Sequence, residues 1–141
     1  MDNDNELIIM RGYQGSGKST KARVIRDSHA GRTVIVSTDD LRCMLVGGRV
    51  KFHTGFRDLN SLVFTVARMM VTDLLSRGFN VIVDAMNVNP IDCMSFIEAA
   101  DSVSCESRIV DCVASLDELL KRNSGRPVDE RLPERRIVAN Y

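Results

Sequence analysis

The sequence predicts an α/β domain in which helices cover both faces of a parallel sheet, and three observations carry that prediction. Short apolar runs alternate with longer helical segments along the 141 residues. Strands that pair in parallel need such crossovers. The first run, Leu7-Ile8-Ile9-Met10, enters a glycine-rich segment that leads straight into a helix. Two later runs, Thr33-Val34-Ile35-Val36-Ser37 and Val81-Ile82-Val83-Asp84, deliver acids at or just beyond their carboxyl ends. Open parallel sheets bind their ligands at that edge.

Taken in order, Leu7 to Met10 reads as a buried strand, because it is apolar at every position rather than at alternate ones. A helix follows from about Lys18 to Asp27, then the β-branched strand Thr33–Ser37. Asp39 to about Val46 reads as a short helix, and the glycines at 47, 48 and 55 make 47–55 a loop. Asn60 to Arg77 is a long helix stopped by Gly78 at its C′ position. Its apolar residues wrap most of its surface, which predicts burial on more than one side. Val81–Asp84 is the third strand, and Pro90 suits the first turn of a helix to about Ala100. Ser107–Cys112 is the fourth strand. Ser115-Leu116-Asp117-Glu118 has capping-box spacing and opens a helix to about Arg122. The polar segment 123–132 is a loop, and 133–140 a last short helix. There is no repeat, linker or low-complexity tract, so the expectation is one domain over 1–141.

Composition narrows the class. The chain is 44% hydrophobic and 27% charged, with 19 basic and 19 acidic residues and a net charge of zero. A polyanion site must therefore come from a local cluster of Arg and Lys. The acidic, polar N-terminus has no basic region followed by an apolar stretch, which argues against a signal peptide. No apolar run is read as reaching the ~18 residues of a membrane helix. Cys43, Cys93, Cys105 and Cys112 form no CxxC pair and have no histidine at zinc spacing. Reduced structural thiols in a cytoplasmic protein with no membrane partner are the expectation. His29 and His53 are isolated and read as surface or loop residues, and Met10, Met44, Met69, Met70, Met86 and Met94 as core or cleft filling.

Gly12-Tyr13-Gln14-Gly15-Ser16-Gly17-Lys18-Ser19 matches GxxxxGK[ST] in full, with Thr20 next. Glycines at 12, 15 and 17 let the backbone curl so that several N–H groups converge on one phosphate, and the helix N-terminus adds positive potential. Lys18 can reach the β- and γ-phosphates of a nucleoside triphosphate, and the Ser19 hydroxyl can ligate Mg²⁺.

Three further constellations sit where such a loop would need them. Thr38-Asp39-Asp40-Leu41-Arg42 follows the second strand. Asp39 can orient an acceptor hydroxyl and take its proton, with Arg42 one turn on to grip an acceptor phosphate. The plainer reading is an N-cap acid and a surface arginine. Asp84 is placed as an acid that helps hold Mg²⁺ or its waters, or as a strand-end acid capping a turn. Asn87 and Asn89 either line the site or shape the turn before Pro90. Lys121, Arg122 and Arg126, followed by Arg131, Arg135 and Arg136, form a basic cluster. It is either an arginine lid over the nucleotide or a helix end with the charge that its dipole favours.

These blocks, GYQGSGKST, STDDLR, VIVDAMNVNP and LKRNSGR in that order, resemble the 5′-hydroxyl polynucleotide kinases and share features with zeta-toxin-like P-loop kinases. The resemblance spans Ile8 to about Ile137. It implies a P-loop NTPase/kinase fold with a four-stranded parallel sheet in the order 2-3-1-4. It implies that Gly12, Gln14, Gly15, Ser16, Gly17, Lys18, Ser19 and Thr20 bind NTP, with Arg126 and more weakly Arg122 as lid arginines. Asp39 would be the general base. Arg42 would hold the 3′-phosphate of the 5′-terminal nucleotide, and Asp84 and Asn87 would border the acceptor, with Ser19 and Asp84 toward Mg²⁺. The family often has Thr in the turn after the second acid, where this chain has Asp84-Ala85-Met86-Asn87. The DxDGT motif of the family's phosphatase partner domain is absent, so no 3′-phosphatase or ligase activity is expected.

Three functions follow. The first is ATP- or NTP-dependent transfer to a 5′-OH end of DNA or RNA in nucleic-acid end repair. The second is a kinase of another hydroxyl, on a nucleoside, nucleotide, sugar derivative or modified base. The third is a non-catalytic NTP-binding module. Oligomeric state is left open.

Overall fold

A computed structural model describes residues 4–13, 15–29, 31–48 and 58–112, together with 121, 124 and 125. The expected helices at 115–122 and 133–140 and the arginines of the lid lie outside the described residues. The elements are β1 (Glu6–Arg11), α1 (Lys18–Ser28), β2 (Thr33–Ser37), α2 (Thr38–Val46), α3 (Leu59–Ser76), β3 (Asn80–Asp84), α4 (Pro90–Ser102) and β4 (Glu106–Asp111). Each lies within two residues of its predicted bounds. The four strands are all parallel and run in the order β2-β3-β1-β4.

The pleat explains why β1 and β3 are apolar throughout. Leu7, Ile9, Val81 and Val83 point to one face, where α3 and α4 supply Val63, Ala67, Val71, Phe96 and Ala100. Ile8, Met10 and Ile82 point to the other, against Ala22 of α1. Leu7, Ile8, Ile9 and Met10 are fully buried, and each such side chain contributes roughly 1.5–3 kcal/mol relative to exposure. β2 and β4 are the edges, and β4 accordingly mixes exposed with half-buried residues. The connection leaving β1 passes over the α1 face and the one leaving β3 over the α4 face. The two loops therefore part at the carboxyl ends of adjacent strands and open a crevice there.

Two expectations need correction. α3 is not buried on several sides: its buried stripe, Leu59, Val63, Ala67, Val71 and Leu75, repeats every four residues, while Leu62, Met69 and Met70 are exposed. A helix lying on a sheet buries one face, and the apolar residues beyond that face stay at the surface. The methionines follow suit. Met10 is buried, but Met44, Met69, Met70 and Met94 are exposed rather than filling a core. One helix among the described residues, α3 with 18 residues, is long and apolar enough by length and composition to cross a membrane. Here its apolar stripe packs against the sheet and α4.

Candidate phosphate and acceptor site

The loop after β1 is shaped by close approach as much as by glycine conformation. A Cβ on Gly12 would lie 2.7 Å from the Cys112 carbonyl oxygen and 2.5 Å from Ser16 Oγ, so no side chain fits. The Gly12 amide donates to the Met86 carbonyl at 2.9 Å, tying the loop to the segment after β3. The Ser16 amide closes a turn onto the Tyr13 carbonyl at 3.0 Å. Gly17 takes a left-handed φ of 88° as the N-cap of α1. α1 thus begins with no side-chain cap and no acid in its first turn. That leaves a helix N-terminus with free amides and a lysine, an arrangement suited to an anion. Gln14 lies outside the described residues, and Thr20 is exposed on the first turn of α1.

Lys18 and Asp84 face each other across the crevice. Lys18 Nζ is 4.0 Å from Asp84 Oδ1, and their side chains are only 7% and 9% exposed. The Ser19 hydroxyl donates to the other Asp84 oxygen at 2.7 Å. One carboxylate therefore gathers the lysine and the hydroxyl of the loop. Among the described residues no cluster of three or more His, Cys, Asp or Glu could hold a metal by itself. A hydroxyl beside a carboxylate does offer the hard oxygen donors that Mg²⁺ takes when phosphates and water complete its shell.

Sheet register carries the second half of the site. Asp84 pairs with Met10 of β1 on one side and Ser37 of β2 on the other. α2 starts directly after Ser37, whose hydroxyl accepts from the Asp40 amide at 3.2 Å and so is the N-cap. This removes the plainer reading of Asp39 and Asp40 as N-caps. Asp39 lies in the first turn with its side chain 48% exposed, and it accepts from Arg42 Nη1 at 2.8 Å. Arg42 is 17% exposed, and its Nη2 donates to Asn60 Oδ1 on α3, also at 2.8 Å.

Asn87 is buried, with φ at 53°, and its amide donates to the Met10 carbonyl at 2.7 Å and the Ala85 carbonyl at 3.3 Å. It joins the ends of β1 and β3. Asn89 accepts from the Ile91 amide and caps α4. Both asparagines thus shape the turn before Pro90. Arg122 and Arg126 lie outside the described residues; nearby, Ser124 and Gly125 donate to the Lys121 carbonyl. Cys112 backs the loop beside Gly12. Burial pushes its thiol up, against the opposing pull of Lys21 and Lys18. His29 caps α1 at the far end of the sheet, 3.0 Å from Glu6, as befits a residue read as non-catalytic.

Sequence reasoning missed Asn60, the Met86 carbonyl and the Cys112 carbonyl. Backbone carbonyls leave no trace in residue type. Asn60 lies 18 positions from Arg42 on a different helix, across the segment read as a loop, so no periodicity within one element links the two.

Comparison with known proteins agrees with the fold. A family profile described as an AAA domain matches residues 7–139. No curated protein sequence matches the chain. Among solved structures, a chain from "Structure of Pnkp1/Rnl/Hen1 complex" is 25% identical with a TM-score of 0.73, over 86% of this chain and 40% of that one. One from "Structure of the Pnkp1/Rnl/Hen1 RNA repair complex" is 23% identical with a TM-score of 0.82, over 99% and 43%. The chain thus spans 40 to 43% of the length of these two. The Mycobacterium tuberculosis APS kinase CysC, solved with AMPPNP and APS, is 18% identical with a TM-score of 0.66, over 87% and 70%.

Proposed function

The chain belongs to the AAA-domain family and has a P-loop kinase-like fold, and from that premise we propose that it is a 5′-hydroxyl polynucleotide kinase using ATP or another NTP. The observation that carries the reading is the half-exposed Asp39 carboxylate held by Arg42 in the first turn of α2, two residues past Ser37, which is in register with Asp84. A module that only bound nucleotide would need Lys18 and Ser19 but no acid and arginine at that place.

In this reading the amides of the loop, the α1 N-terminus and Lys18 bind the NTP phosphates. The acceptor oxygen attacks the γ-phosphorus in line as its proton passes to Asp39. The bond from phosphorus to the β–γ bridging oxygen breaks, and NDP leaves carrying the charge that Lys18 neutralises. Ser19 and Asp84 would hold Mg²⁺, which when bound supplies charge neutralisation across the phosphate oxygens. Arg42 would bind the 3′-phosphate of the terminal nucleotide, with Arg126 and Arg122 as lid arginines. The similarity to chains of an RNA repair complex supports a polynucleotide acceptor. A net charge of zero and the likeness to an APS kinase favour a small hydroxyl acceptor as the second reading.

The test is transfer of label from γ-labelled ATP to a 5′-OH oligonucleotide, beside a 5′-phosphorylated control and a panel of nucleosides and sugar derivatives. Asp39→Ala is expected to lower kcat by roughly 10²–10⁴-fold while leaving nucleotide affinity in place. Label on the small acceptors alone would replace the polynucleotide reading with the second one. Near-normal transfer by Asp39→Ala would remove the base assignment.

A further inference from the structure

Arg42 leaves α2 and is held at two points by different elements. Nη1 donates to Asp39 on its own helix, and Nη2 donates to Asn60 in the first turn of α3, each at 2.8 Å. The two contacts differ in kind. Asp39 is a charged, half-exposed partner one turn away, whereas Asn60 is a neutral partner from an element 18 residues on. An acceptor phosphate reaching the guanidinium would compete with the Asp39 carboxylate, because both are anions that seek the same fork of N–H donors. A neutral amide oxygen is a weaker competitor, and its contact can persist when the anion changes.

We propose that Asn60 is a positioning residue that holds the Arg42 guanidinium in place while its Nη1 passes from Asp39 to the acceptor phosphate. This deepens the proposed function and rests on its reading of Arg42 as the acceptor-phosphate ligand. Without Asn60, Asp39 would be the one partner left to Arg42 among the described residues, and the guanidinium would swing with it. The acceptor would then lose a preorganised ligand, and Asp39 would stay paired with the arginine instead of facing the hydroxyl.

The experiment compares two 5′-OH oligonucleotides, one with a normal first linkage and one with a neutral methylphosphonate there. Wild-type protein should prefer the anionic linkage in kcat/KM. Asn60→Ala should reduce that preference about tenfold, the scale of one hydrogen bond to a charged group, while KM for ATP holds. Asn60→Gln, which keeps a neutral amide oxygen, should restore part of the preference. Arg42→Ala combined with Asn60→Ala should fall no further than Arg42→Ala alone. An unchanged linkage preference in Asn60→Ala, or an equal loss on both oligonucleotides, overturns the role of Asn60 and leaves the kinase standing. Wild-type protein that labels neither oligonucleotide overturns both.

Discussion

Replacing Gly12 by alanine is the smallest change that the phosphate loop should refuse. The added Cβ would meet Ser16 Oγ at 2.5 Å and the Cys112 carbonyl oxygen at 2.7 Å, both closer than real Cβ contacts come. The serine hydroxyl has no partner among the described residues and can rotate away. The carbonyl cannot, because the Cys112 amide is bonded to the Arg11 carbonyl at 2.8 Å and Gly12 itself to Met86 at 2.9 Å. Relief must come from shifting the end of β4 or the loop by several tenths of an ångström. Overpacking of this kind costs about 1–3 kcal/mol, or roughly 3–10 °C in Tm for a chain of this size. Gly47→Ala is the control. Gly47, unlike Gly12, has a positive φ, 81°, and its Cβ would meet nothing within 4 Å, so conformational strain alone, about 1 kcal/mol, is expected. Thermal unfolding of the two variants, followed by circular dichroism, reads the difference. Gly12→Ala melting with or above Gly47→Ala would refute the close approach inferred here.

Further outcomes follow from the same geometry. Asp84→Asn keeps the size of the side chain but removes the charge facing Lys18, leaving a nearly buried ammonium without its anion; the free protein should lose about 2–3 kcal/mol in urea denaturation. Phe96→Ala empties a fully buried site against Phe64, whose ring centroid is 6.1 Å away, and should cost about 3–5 kcal/mol in the same assay. Burial raises the Glu6 carboxyl, but hydrogen bonds from His29 and Arg108 outweigh it and hold the group below its ordinary value of 4.5. A depressed carboxylate stabilises the fold above that pH, and the contribution fades as pH falls through the lower folded value. Glu6→Gln should therefore destabilise by about 1 kcal/mol near pH 7, and the gap between wild type and variant should narrow as pH falls below 4.5 in pH-dependent melts.

The residues of the loop and the succession of strands and helices were legible because their causes are local, whereas the strand order came from the family resemblance. Apolar runs too short for helices, glycines before a lysine and Gly78 after a long helix each report the conformation of their own neighbourhood. Hence the bounds of all eight described elements followed from the chain, and so did the gathering of Lys18, Ser19 and Asp84 at one sheet edge, once the strands were taken as parallel. α3 misled because hydrophobic composition counts apolar residues without saying how many layers will cover them; only packing leaves Met69 at the surface and Val71 inside. Asp39 was visible as an acid after a strand, but whether it or Ser37 capped α2 depended on backbone direction. Tertiary structure alone decided what pins the site: the Met86 and Cys112 carbonyls about Gly12, Asn87 across the ends of β1 and β3, and Asn60 on Arg42. These contacts join residues 18 to 100 positions apart, and nothing in a linear pattern marks two groups that meet only after the sheet has assembled.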